Sequence, residues 1–135
     1  MKYLFFIMLF INNLLAEDIT SLQCVAISEK KGNLITKIDM RTSVGRNGIY
    51  NILVSYNEYN AYITFKKDNL TGFNGGRLMF VFASDTDNNK NYLCKLDNTN
   101  LLLRISNETY DNNRKAVQLI VENHRAYLYK CRYIK

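Results

Sequence analysis

The stretch KAVQLIVENHRAYLYKCRY, residues 115–133, decides the fold. Val117, Leu119 and Val121 alternate with Gln118, Ile120 and Glu122. After a break at Asn123-His124-Arg125, Tyr127, Tyr129, Cys131 and Tyr133 alternate with Lys130 and Arg132. A period of two sends successive side chains to opposite faces of a strand, so each run reads as a half-buried strand and the break as a hairpin turn.

The same period recurs upstream. In IYNILVSY (49–56), Tyr50, Ile52, Val54 and Tyr56 alternate with Asn51, Leu53 and Ser55. Residues 22–28, 34–42, 61–66, 77–84, 91–96 and 101–106 complete a set of nine candidate strands. Asparagine-rich breaks at 57–60, 97–100 and 123–125 separate alternating runs by the few residues that hairpins prefer, and asparagine tolerates the left-handed backbone such turns need. Arg46-Asn47-Gly48 adds the strongest short hairpin signal, Asn-Gly. Residues 68–76 (DNLTGFNGG) and 85–90 (DTDNNK) are longer links, and 109–115 have room for one turn of helix. The chain has no proline, so the usual blocker of exposed sheet edges is missing, which favours a closed barrel. The expected fold is all-β: a small single-domain antiparallel β-barrel or β-sandwich of eight or nine strands.

The first sixteen residues, MKYLFFIMLFINNLLA, have Lys2, an apolar run over 3–11 and a small residue, Ala16, before Glu17-Asp18. These are the parts of a secretory signal peptide. The apolar run is about half the roughly 20 residues a membrane-spanning helix needs. Residues 1–16 are thus read as a signal peptide and 17–135 as one β-domain, secreted or periplasmic, with no stable membrane span after cleavage. Cleavage removes one positive charge and no acidic residue, so a formal net charge of +6 falls to about +5. That balance favours anionic partners, although no run of like charges marks a basic arm.

Cys24, Cys94 and Cys131 all lie in the exported part. In an oxidising compartment, cysteines near both ends of a small domain tend to be bridged. Cys24–Cys131 is the expected pair and Cys94–Cys131 the alternative. Closing a loop of over a hundred residues stabilises by about 4 to 5 kcal/mol in the chain-entropy model.

Little points to catalysis. The single histidine, His124, falls in a predicted hairpin tip, where no neighbour holds it beside a nucleophile. One imidazole and three scattered cysteines do not make a zinc site. DTDNN (85–89) is rich in oxygen ligands but lacks the glycine and distant glutamate of an EF-hand. GFNGG (72–76) precedes a strand, not the helix of a phosphate-binding loop. No cofactor is indicated. Ten tyrosines and a basic last strand give a candidate binding face of Tyr127, Tyr129, Lys130, Arg132 and Tyr133. Nucleic acid is the weaker partner, since tyrosines in strands are ordinary pleated-surface residues. The sequons Asn69-Leu70-Thr71 and Asn107-Glu108-Thr109 make Asn69 and Asn107 candidate glycan acceptors.

With Cys24 and Cys131 near its two ends, such an exported β-domain resembles the periplasmic barrels that inhibit lysozyme. The resemblance covers architecture only, and a basic inhibitor would meet repulsion on a basic target. The expected function is non-catalytic binding of a protein or small ligand. The alternatives are a small secreted hydrolase using carboxylates, or a secreted host-interaction glycoprotein.

Overall fold

The computed structural model describes residues 18–39, 48–68, 74–110, 114–122 and 125–134. The signal-peptide reading of residues 1–16 and the turn residues Asn123 and His124 lie outside the described residues, as does Asn69.

Nine antiparallel strands follow one another: β1 (Thr20–Lys31), β2 (Leu34–Lys37), β3 (Asn51–Tyr56), β4 (Asn60–Phe65), β5 (Gly76–Asp85), β6 (Asn89–Leu96), β7 (Thr99–Tyr110), β8 (Arg114–Val121) and β9 (Arg125–Tyr133). From β3 to β9 each strand pairs with the next, and β1 pairs with both β3 and β9. Eight strands therefore close into a barrel, which excludes the sandwich.

The ninth strand, β2, is an extra. A β-bulge at Ala26/Ser28 divides β1, and a bulge bends its strand. The first half of β1 pairs with β3, and residues 28–31 pair with β2 along the same edge. The Ile27 carbonyl accepts from the Ile38 amide at 2.9 Å, holding the chain where it leaves β2. The β1–β2 turn places Gly32, at φ 58°, directly after Lys31, which pairs with Leu34. That first central position is the one a type II′ hairpin reserves for glycine.

Some local expectations are corrected. Residues 48–50 form a 3-10 turn, not the start of a strand or a hairpin tip. β2 stops at Lys37 and is separated from β3 by β1, while Arg46 and Asn47 of the expected Asn-Gly turn lie outside the described residues. Of the stretch 109–115, which had room for one turn of helix, Thr109 and Tyr110 finish β7 and Arg114 and Lys115 start β8, while residues 111–113 lie outside the described residues. The β6–β7 turn is shorter than expected, just Asp97-Asn98 between the paired Leu96 and Thr99.

Inward-facing residues fill the barrel. Leu22, Ile52, Val54, Ile63, Phe80, Leu103, Ile105, Val117 and Leu119 are buried, each contributing about 1.5–3 kcal/mol relative to exposure. One end is closed by aromatic rings: Tyr92 meets Phe82 and Tyr56 edge-on at 5.7 and 6.4 Å. The Tyr92 hydroxyl donates to the Asn57 carbonyl at 2.7 Å. The Lys115 ammonium, buried beside them, donates to the Tyr56 hydroxyl at 3.2 Å. The outer wall is mixed, with Lys130 and Arg132 on one side and exposed Met79, Val81 and Leu93 on another. Transmembrane barrels carry the reverse pattern, apolar outward and polar inward. No helix among the described residues is long and apolar enough to cross a membrane.

Candidate functional site

The end of the barrel opposite the aromatic cluster carries the 3-10 turn at residues 48–50. There Ile49, Tyr50, Phe65, Leu78, Leu96 and Tyr127 line a concavity of about 550 Å³, with Asp68 and Arg125 among its polar groups. That volume falls in the range of roughly 300–1,000 Å³ typical of small-ligand sites, which are mostly apolar with a few placed polar groups.

The floor is held from below. Tyr129 is fully buried, and its hydroxyl donates to the Ile49 carbonyl at 2.8 Å, fixing the 3-10 turn over the barrel. The Gly48 amide donates to the Lys66 carbonyl at 3.0 Å, tying the turn to the chain just past β4. Gly75 lies in the wall at φ 89°, where a Cβ would come within 2.9 Å of the Phe65 carbonyl oxygen. Only a residue without a side chain lets the two segments approach so closely.

Two of the polar groups, Arg125 and Tyr127, come from β9, which pairs with β1 along the seam. Glu29 and Tyr127 are register partners, and Glu29 lies 3.9 Å from the Lys31 ammonium. Burial raises the Tyr127 hydroxyl above the ordinary phenol value. The Glu29 charge adds to this, while the nearby Arg125 guanidinium offsets part of it. Burial first, then the neighbouring Tyr127, Tyr50 and Glu29, push Tyr129 well above the ordinary value. Both hydroxyls stay neutral at physiological pH, so they act as hydrogen-bonding groups and not as anions.

The residues of the expected binding face are divided by the barrel wall. Tyr127 and Tyr129 point inward and are buried, while Lys130 and Arg132 belong to the outer register. Tyr133 follows the inward register but lies exposed at the strand end. Tyr127 therefore belongs to the mouth, Tyr129 to its floor, and Lys130 and Arg132 to a separate outer surface. Asn107 is exposed on β7, and its Nδ2 donates to Asp85 Oδ1 and to the Thr86 carbonyl, both at 3.1 Å. In the oxygen-rich 85–89 segment, the Asp85 carboxylate also accepts from Lys90 at 3.3 Å. These two donors hold Asp85 below the usual carboxylate range.

Cys24 and Cys131 are bridged, and Cys94 is a free thiol.

No family model matches this chain, and neither curated proteins nor solved structures give a match.

Sequence reasoning missed most of the mouth. Its lining comes from the 3-10 turn and from the ends of β4, β5, β6 and β9, segments far apart in the chain. The available signals were the apolar residues next to predicted turns, Ile49, Phe65 and Leu96, which have no reason to be apolar unless the turns cover something.

Proposed function

We propose that the chain is an exported, disulfide-closed β-barrel that acts without catalysis, binding a small, mostly apolar ligand in the concavity at this end. The observation that carries this reading is the contrast between the two ends. One is plugged by Tyr56, Phe82, Tyr92 and Lys115, while the other leaves apolar side chains around a concavity. Arg125 and the neutral Tyr127 hydroxyl would orient one polar or anionic group of the ligand. The disulfide supports the exported setting, since such bridges persist in oxidising compartments.

The hydrolase alternative has less support. It requires two carboxylates facing one cleft, whereas the described lining of the mouth includes one, Asp68.

Calorimetric titration of the exported protein with decanoate and with decanol tests the reading. Saturable binding with a negative heat-capacity change is expected, as apolar burial requires. Leu78→Gln should weaken both ligands, and Arg125→Gln should weaken decanoate more than decanol. No saturable binding of either compound would overturn it.

A further inference from the structure

The outer wall carries a second concavity, on the far side of β9 from the core. It is a shallow groove of about 340 Å³ whose lining includes Gln23, Asn51, Lys66, Arg114, Lys130 and Arg132. Four of these are cationic and none is acidic.

The strand register explains the clustering. Arg114 on β8 and Arg132 on β9 are direct cross-strand partners, and such pairs have Cβ atoms about 5 Å apart. Lys130 lies two residues before Arg132, so it shares the outward face. Gln23 is the partner of Arg132 on β1, and its Nε2 donates to Asn51 Oδ1, making the opposite rim from neutral amides. Lys66, exposed just past β4, completes the lining. The ion pairs found among the described residues, Lys31–Glu29 and Lys90–Asp85, involve none of Lys66, Arg114 and Arg132.

Like charges placed directly opposite one another in a sheet repel. The repulsion becomes attraction when a multivalent anion lies between them. Two guanidinium forks on one face match the oxygens of a tetrahedral oxyanion, which each fork can hold through paired hydrogen bonds. We propose that this groove binds a sulfate or phosphate monoester, with Arg114 and Arg132 gripping the oxyanion and Lys130 and Lys66 supplying flanking charge. The groove is shallow and local, so it takes the ester group and the small body that bears it.

The test is an amide-resolved magnetic resonance titration of the oxidised protein at constant ionic strength. The probes are sodium sulfate, sodium phosphate, a monosulfated disaccharide and a sugar phosphate. Saturable shifts centred on Arg114, Lys130, Arg132 and Gln23 are expected. The Arg114→Gln/Arg132→Gln double variant should lose about tenfold or more in affinity while still binding decanoate in the mouth. Sulfate should raise the melting temperature of the parent at low salt and leave that of the double variant in place. Tighter binding of the sugar esters than of the inorganic ions would assign the group to a glycan or sugar source, and equal binding to the free anion. Shifts that do not saturate, or an affinity unchanged in the double variant, would overturn the proposal.

Discussion

Cys24 and Cys131 face each other across the antiparallel seam between β1 and β9, with Cα atoms 4.1 Å apart and a bridge that joins residues 107 positions apart. This seam turns a sheet into a closed barrel, because it unites the first strand with the last. Both cysteines are buried in the inward register, so the bridge is part of the core.

Removing the bridge should cost most of the stability that closure of so long a loop provides, about 4 kcal/mol. For a domain of this size Cys131→Ser is expected to lower the melting temperature on the order of 10 °C. Differential scanning calorimetry with and without reductant checks this. A melting curve that neither reduction nor substitution moves would contradict the role given to the seam.

Alkaline pH should unfold the barrel through its buried tyrosines. Tyr92 is pushed up to about 12, and Tyr129 also lies well above the ordinary value of 10.0. A phenol raised on folding keeps its proton in the folded state after the unfolded chain has lost it. Its stabilising contribution is therefore complete below about pH 10 and declines as pH rises through the folded value. Denaturant melts at increasing pH, followed by tyrosinate absorbance, should show falling midpoints from about pH 10 upward. Tyr129→Phe, which removes the hydrogen bond to Ile49, should cost about 1 kcal/mol.

Cys94 is half-buried against the core, and burial raises its thiol above the ordinary value. The reactive species is the thiolate. Labelling by a neutral maleimide should therefore be slow near pH 7 and accelerate only past the usual thiol range. A rate at neutral pH equal to that of a free model thiol would show Cys94 to be an exposed group.

Gly75→Ala should destabilise by about 1–3 kcal/mol, since it combines a left-handed backbone with a collision against the Phe65 carbonyl. The same change should weaken decanoate binding, because residue 75 borders the mouth. Chemical denaturation and calorimetry measure the two effects separately.

The nine strands were legible because inward and outward residues alternate in nearly every one, as in β3 and β8. Two kinds of feature were not. Bulges hide strand length: β7 runs to Tyr110, but its register shifts between Ile105 and Thr109, and the polar run Ser106-Asn107-Glu108 breaks the alternation. Turns that cover the core imitate strands: Ile49 and Tyr50 are apolar because they roof the barrel, and they extend the alternation of β3 by two residues. The pairing of Cys24 with Cys131 followed from placing both on inward faces near the chain ends. The groove was half visible, since Lys130 and Arg132 are neighbours in sequence, whereas Arg114 and Lys66 join them only through pairing between strands.

Peptide mapping by mass spectrometry of the protein released from its native host tests the proposed export and the β1–β9 seam most directly. Alkylation before and after reduction should give an N-terminus at Glu17, a cross-linked peptide joining Cys24 to Cys131, and Cys94 alkylated without reduction. A chain that retains Met1 with three alkylatable thiols, or a bridge that uses Cys94, would contradict the account.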